Sequence, residues 1–291
     1  MLRILFLVPK RLLSAVVGRL AHIPLPGPLG RAVVRLFVRC YQIETTSAEL
    51  PLERYRSVGE FFTRNLKPGL RPVDGALVSP VDGRVRGFGR IVGGELEQIK
   101  GKTYRVDEFL GDERFAPLGD TPLASRYEGG FYINLYLAPP DYHHIHAPVA
   151  GRIRCVRAIP GNLWPVNDWS IRTIDKLFAV NERMVVVIES AFGLVTVVMV
   201  GATNVGKIAL AFDSLRSNRF PARLQRAVYA EPRPIEAGER LGTFHLGSSV
   251  VVLFEPGAFP EGRVGVQVGE AVRYGRALAA VSPTLDERPL T

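Results

Sequence analysis

The sequence predicts a mainly β (α+β) fold with an amphipathic helical segment at its N-terminus, and three observations carry that expectation. From about residue 76 onward, short β-branched and aromatic runs recur between Gly, Pro, Asn and Asp, with few long 3.6-residue patterns among them. Two distant stretches, Pro80-Val81-Asp82-Gly83-Arg84-Val85-Arg86 and Pro148-Val149-Ala150-Gly151-Arg152-Ile153-Arg154, agree in all but two places, which implies two similar β-units facing each other. The first 43 residues hold seven basic residues and no Asp or Glu, interleaved with apolar residues at helical spacing.

In KRLLSAVVGRLAH, Leu12, Leu13, Val16, Val17 and Leu20 share one helical face while Lys10, Arg11, Ser14 and Arg19 cover the other. After the breaker IPLPGPLG, a second stretch aligns Arg31, Arg35 and Arg39. Such a segment suits a membrane interface, with arginines against anionic lipid contributing about 1 kcal/mol each. Pro9, Lys10 and Arg19 break any apolar run of the ~18 residues a transmembrane helix needs. The same composition also fits a transit peptide or an amphipathic helix packed on its own domain. The net charge of +9 suits nucleic acid too, but no nucleic-acid-binding motif accompanies it, so none is expected as a partner.

Ser57-Val58-Gly59-Glu60 reads as a capping box opening a short helix that bears Phe61 and Phe62. Lys67-Pro68-Gly69 and Arg71-Pro72 then mark a boundary, dividing the chain into a helical membrane-associating segment, 1–70, and a β-rich catalytic domain, 71–291. Strands are expected in LVSPVDGRVRGFGRIVG, GGFYINLYLA, AGRIRCVRAI, RMVVVIESAFGLVTVVMVGA, KIALAF and SSVVVLFE, and the tail VSPTLDERPLT is expected to be flexible. Cys40 and Cys155, in an apolar helix and a strand, are expected to be buried free thiols. They offer no disulfide framework and no Cys-rich zinc site, and they favour a reducing compartment.

The chemistry concentrates in three places. In Leu246-Gly247-Ser248-Ser249, Gly247 has no Cβ and leaves its carbonyl open to the Ser248 hydroxyl. An N-to-O shift there gives an ester, and elimination followed by hydrolysis leaves a pyruvoyl group, a cofactor made from the chain itself. Three of the five histidines, His143, His144 and His146, fall in DYHHIHAP, and on an extended segment residues 144 and 146 share a face that 143 does not. Asp82, in SPVDGRV, lies in the first copy of the repeat, and the histidines precede the second, so the two can meet at a seam. A carboxylate that orients an imidazole, which deprotonates a serine, is what an activated hydroxyl needs. A rival reading makes His143, His144 and His146 ligands of a zinc hydrolase, with His144-Ile145-His146 as the pair on one face.

Asp82 within SPVDG, His143 and His146 within YHHIHAP and Gly247-Ser248 within LGSS together resemble the phosphatidylserine decarboxylases, a pyruvoyl-dependent family. The likeness runs along most of the chain, through SVGEFFTRNLKPGLRPVD, IPGNLWPVN, FAVNERMVVVIE and VGATNVGKI, and it continues into the basic N-terminus, which favours a retained segment over a transit peptide. It departs at Ser249, where the family has threonine.

The resemblance implies decarboxylation of phosphatidylserine to phosphatidylethanolamine, with an archaetidylserine-type lipid as an alternative substrate. Asp82, His146 and Ser248 form the self-processing triad, and His143 acts near the substrate; it is the candidate proton donor, with His146 or water as alternatives. Cleavage separates a large chain, 1–247, from a small chain, 248–291, which remain paired as a heterodimer; a higher oligomer is left open. Ser248 becomes the pyruvoyl cofactor, which forms a Schiff base with the substrate amine, and no metal is needed. The enzyme is expected to sit peripherally on the cytoplasmic side of the inner membrane, against its anionic surface. Lys207, Arg172 and Arg183 are candidate partners for the lipid phosphate. The late AGERLGTF turn and the paired PVxGR strands also look similar to a duplicated barrel-sandwich hybrid of the kind found in lipoyl and biotinyl domains.

Overall fold

The structure, a computed structural model, describes residues 10–111, 114–203, 207–218, 221–245, 248–259 and 264–279. Gly247 and the tail after Ala279 lie outside the described residues. The helices come first: α1 (Lys10–Ala21) and α2 (Gly27–Tyr41), then the short α3 (Val58–Phe62). Ser57 caps α3 as its sequence predicts, its hydroxyl accepting from Glu60 N at 3.1 Å, but the Glu60 carboxylate reaches back to Arg56 N at 2.7 Å, one residue beyond a capping box.

The orientation of α1 is the reverse of a soluble amphipathic helix. Ser14 is wholly buried, whereas Leu12 and Leu20 are 55% and 61% exposed and Leu13 and Val16 also face outward. On α2, Val34 is buried while Leu29, Leu36 and Tyr41 are exposed. Cys40 is exposed as well, against the expectation of a buried thiol, because it lies on the outward side of α2; Cys155 is buried, and burial pushes its thiol up to about 12. None of the described helices is long and apolar enough to cross a membrane.

Among the described residues thirteen strands follow: β1 (Gly83–Arg90), β2 (Glu95–Ile99), β3 (Lys102–Arg105), β4 (Phe131–Tyr136), β5 (His144–His146), β6 (Gly151–Ile159), β7 (Arg183–Ser190), β8 (Gly193–Val200), β9 (Ile208–Leu210), β10 (Gln225–Ile235), β11 (Arg240–Phe244), β12 (Ser249–Phe254) and β13 (Ala271–Val272). Short helices interrupt them: α4 (Val106–Leu110), α5 (Asp168–Thr173) and α6 (Leu177–Val180). The fold is mainly β. Eight strands form an antiparallel sheet in the order β10-β6-β7-β8-β12-β4-β1-β13, beside a three-stranded sheet β5-β11-β9 and the hairpin β2-β3.

The runs MVVVI, LVTVVMV and VVVLF are apolar but for Thr196 because the central strands β7, β8 and β12 are covered on both faces, so no alternation with polar residues is required; the buried Thr196 hydroxyl pairs with Tyr127. All six strand regions expected from sequence contain strands. The longest strand, β10, was not expected. It is an edge strand with Glu231, Arg233 and two prolines, so it lacks the apolar alternation that announces a strand and carries the features that discourage edge pairing.

The two copies of the repeat meet. Val78 N donates to Pro148 O and His146 N to Pro80 O, both at 2.8 Å, which lays the Asp82 turn beside the histidine strand.

Candidate active site

Ser248 stands at the start of β12, between β8 and β4. Its carbonyl accepts from Leu137 N at 2.8 Å, its hydroxyl donates to Val200 O, and its side chain is buried. It lines a cavity of about 380 Å³ walled by Val17 and Ala21 of α1, Phe37 and Tyr41 of α2, Phe62 of α3, Tyr136, Pro165 to Asn167, Ala202 and Thr203. A second apolar hollow, of about 300 Å³, continues between α1 and α2 and shares Val17, Ala21 and Val58 with the first.

The cavity wall depends on one buried amide. Asn181 accepts from Trp164 N and donates to Trp164 O and Gly201 O, each at 2.9 Å, and so ties the 163–167 loop to the end of β8. Thr203 adds a bond to Leu163 O at 2.5 Å. The segments IPGNLWPVN, FAVNERMV and VGAT, distant in sequence, therefore build one wall.

The three histidines split as a strand requires. His144 and His146 both face the Tyr142 ring, at 5.0 and 5.7 Å, while His143 packs on Phe62 at 3.9 Å between ring centroids. His143 thus sits one ring behind the cavity. Its Nδ1 donates to Asp141 O at 2.8 Å, and its buried Nε2 has no hydrogen-bond partner among the described residues. Both nitrogens of His144 are engaged, by Thr243 Oγ1 at 2.7 Å and Thr63 O at 3.1 Å, which marks a structural residue and leaves no lone pair for a metal. Among the described residues no group of three or more His, Cys, Asp or Glu is arranged to hold a metal ion, so the zinc reading has no site.

His146 Nδ1 lies 2.6 Å from Gly238 O. Because a carbonyl only accepts, Nδ1 carries the proton, and the Nε2 lone pair faces the Tyr142 hydroxyl at 3.2 Å. Gly238 can aim its carbonyl this way because its φ is +78°, in a turn where an added Cβ would lie 2.4 Å from Val73 Cγ2. The Glu236-Ala237-Gly238-Glu239 turn was visible in the sequence; its partnership with His146 was not.

Asp82 is clamped elsewhere. Arg71 donates to both carboxylate oxygens, Nε at 3.2 Å to each and Nη2 at 2.6 Å to Oδ2, and Tyr274 N donates to Oδ1 at 2.9 Å. The Tyr274 ring in turn lies flat on His146, 3.8 Å away and within 3° of parallel. The structure therefore gathers Asp82 and His146 around Tyr274 and sets His143 behind Phe62, which lines the same cavity as Ser248, but the hydrogen bonds of Asp82, His146 and Ser248 go to other partners and form no relay. By register, Arg84 and Ser249 flank Tyr136 of β4 on its two sides, so Asp82 and Ser248 emerge at the same sheet end, ~10 Å apart by two strand spacings.

Asp141, which the sequence reading passed over, also belongs here. Burial and the neighbouring Asp82 charge raise its carboxyl to about 6 against a bond from Ala138 N, and the guanidinium of Arg64 holds its loop through Pro140 O at 2.9 Å. Its place beside the histidines in PPDYHH was the available signal. His245 Nδ1 faces His22 Nε2 at 3.3 Å, linking the end of α1 to the strand that leads to the serines. Arg183 is removed from the phosphate candidates, since it is buried and donates to the carbonyls of Glu108, Phe109, Ala179 and Asn181.

Burial holds these imidazoles neutral, at about 3 for His143 and His144 and about 4 for His146 and His245. In the unfolded chain they titrate near 6.5, so below that pH the unfolded state takes up protons the folded state refuses, and stability falls down to about pH 4. Asp141, raised rather than lowered, works in the opposite sense and offsets somewhat more than half of one histidine. Between pH 7.5 and 5.5 we expect a net loss of roughly 4–5 kcal/mol, a drop in melting temperature of about 10 °C. A melting temperature that held level would contradict the neutral buried cluster.

The chain matches a family model described as phosphatidylserine decarboxylase over residues 58–280. It is similar to the phosphatidylserine decarboxylase proenzyme of Anaeromyxobacter sp. (strain K), 46% identical over 257 residues covering 86% of this chain and 88% of that protein. The proenzyme of the same description from Myxococcus xanthus is 42% identical over 259 residues, 88% and 89% of the two chains, and that from Brevibacillus brevis is 37% identical over 276 residues, 94% of each.

Proposed function

We propose, from the premise that this chain belongs to the phosphatidylserine decarboxylase family, that it cuts itself between Gly247 and Ser248 and then converts phosphatidylserine to phosphatidylethanolamine and carbon dioxide. Membership makes it a carboxy-lyase. The observation that carries the reading is the position of Ser248: it lines a cavity whose far wall is the helical pair that turns its apolar residues outward.

In the self-processing step the Ser248 Oγ adds to the Gly247 carbonyl carbon, and the Gly247–Ser248 C–N bond breaks as an ester forms. Loss of the Ser248 α-proton and of the ester oxygen leaves dehydroalanine, and its hydrolysis releases ammonia and leaves a keto group at the new N-terminus. We assign His146 as the base, since it is neutral, with its Nδ1–H fixed on Gly238 O and its Nε2 lone pair facing the Tyr142 hydroxyl, and Asp82 as the carboxylate that supports it. The pyruvoyl group derived from Ser248 supplies the electron sink for decarboxylation. The surroundings of Ser248 fit it: the carbonyl is fixed by Leu137 N, and Tyr136, Asn167 and Thr203 line the same cavity with polar atoms for a headgroup.

His143 is the proton carrier in this reading. It stands one ring behind the cavity, against Phe62, and passes a proton to the substrate carbon that has lost carbon dioxide. Arg172 and Lys207 remain as the phosphate candidates. The segment 1–70 serves as the membrane-associating part and 71–291 as the catalytic part, on the cytoplasmic face of the inner membrane. The exposed leucines of α1 and α2 support that placement, and no nucleic acid is involved. The two cleaved chains stay together, because β12 is hydrogen-bonded between β4 and β8.

Denaturing mass spectrometry of purified protein is the test. Two chains are expected, 1–247 and 248–291, the smaller carrying a keto group in place of the Ser248 amine and reacting with hydroxylamine as activity is lost. Fully active protein consisting of intact chain alone, indifferent to hydroxylamine, would refute it.

A further inference from the structure

Asp82 makes no hydrogen bond to His146, yet the two are joined through a residue near the C-terminal end of the described chain. The Tyr274 N–H is held by Asp82 Oδ1, and the Tyr274 ring covers one face of the imidazole at 3.8 Å. The turn that carries it is locked to the linker before Asp82: Asp74 N donates to Gly275 O at 2.9 Å, Gly275 N to Ser79 O at 3.0 Å and Ser79 N to Arg276 O at 2.8 Å. Gly275, with φ +86°, permits the approach, since a Cβ there would lie 2.4 Å from Pro72 O. Arg71 completes the clamp on the same carboxylate.

We propose that Tyr274 is the positioning residue that couples Asp82 to His146, its backbone pinned by the carboxylate while its ring holds the imidazole in register and keeps water from it. The inference rests on the reading of His146 as the self-processing base. It assigns the segment that becomes the small chain a second duty besides supplying Ser248: it brings the stacking surface for a histidine of the large chain.

The groups facing His146 are Tyr142 on its own segment, Arg240 on β11, Asp82 before β1, Tyr274 after β13 and His144 one position away on the same strand face. Arg240 and burial hold the imidazole neutral and Asp82 opposes them, burial being the largest influence. An aromatic face also favours the imidazolium by about 0.5–1 kcal/mol, but exclusion of water works the other way and is the stronger effect for a group this buried. Loss of the ring therefore raises the histidine's pKa.

The test uses the full-length Ser248→Ala chain, which remains uncut, with ¹³C-labelled histidine, and follows His146 by NMR from pH 3 to pH 8. Adding Tyr274→Leu is expected to raise the His146 pKa by about one unit or more, and Tyr274→Phe, which keeps the ring, to restore the starting value. In the chain with Ser248 intact, cell-free synthesis sampled over time should show the acid limb of the cleavage rate moving up by the same amount in Tyr274→Leu and returning in Tyr274→Phe. An unmoved His146 titration in Tyr274→Leu overturns the inference, as does a uniform slowing at every pH or a Tyr274→Phe as impaired as the leucine variant. If Tyr274→Leu does not fold, Tyr274→Phe and Tyr274→Trp decide alone: both must keep the His146 titration within 0.3 units of the starting value, and any larger shift overturns it. Failure of the wild-type chain to cleave at all refutes the underlying reading instead, so the two failures are told apart.

Discussion

A Ser248→Ala protein is expected to remain one full-length chain under denaturing mass spectrometry and to lose decarboxylation to background, while melting close to the wild type. The loss is total because the side chain is at once the nucleophile and the source of the electrophile, so no neighbouring group shares the function. The structural cost is small: the Ser248 carbonyl still accepts from Leu137 N, β12 keeps both neighbours, and only the hydroxyl's bond to Val200 O disappears, about 1 kcal/mol. The adjacent serine supplies the control. Ser249 Oγ is buried without a partner among the described residues, so Ser249→Ala removes an unsatisfied polar atom and is expected to cleave normally at equal or slightly higher stability. A cleaved, active Ser248→Ala would show that the wrong serine had been chosen.

Asp82→Ala is expected to do two kinds of damage that can be separated. The Arg71 and Asp82 side chains are only 9% and 11% exposed, and removing the carboxylate strands a guanidinium and leaves Tyr274 N unpaired. Breaking a buried pair in this way costs about 3–5 kcal/mol, readable as a lower urea midpoint with an unchanged slope. Self-cleavage should fail as well. The double variant Arg71→Met with Asp82→Leu removes both charges and should recover most of the stability, since an apolar pair of similar volume is often no worse than a buried ion pair. It should still remain uncut. Recovery of cleavage along with stability would reduce Asp82 to a structural residue.

Much of the site was legible because its chemistry is local. The serine after a glycine, the histidines at alternate positions and the Asp-Gly turn each announce themselves within a few residues, and the repeat indicated that the Asp82 turn and the histidine strand would meet. The strands with β-branched runs were equally plain. Harder to see were β10, whose charges and prolines mask an edge strand, and Cys40, whose apolar neighbours concealed an outward-facing position. Arg183 drew notice as a candidate phosphate partner, but its donors serve backbone carbonyls, those of Ala179 and Asn181 nearby and those of Glu108 and Phe109 some 75 residues away.

The sequence by itself determined the reaction class, the candidate residues proposed to carry it, the β-rich character of the chain and the amphipathic pattern at its start, because each depends on residue type and on spacing within a single segment. Only the tertiary structure decided that α1 turns its leucines outward, that Gly238 O selects the His146 tautomer across 92 residues, and that Asp82 meets Tyr274 across 192. Those contacts rest on sheet register and on which faces are left for packing, and a pairing between segments so far apart leaves no periodic trace in either of them.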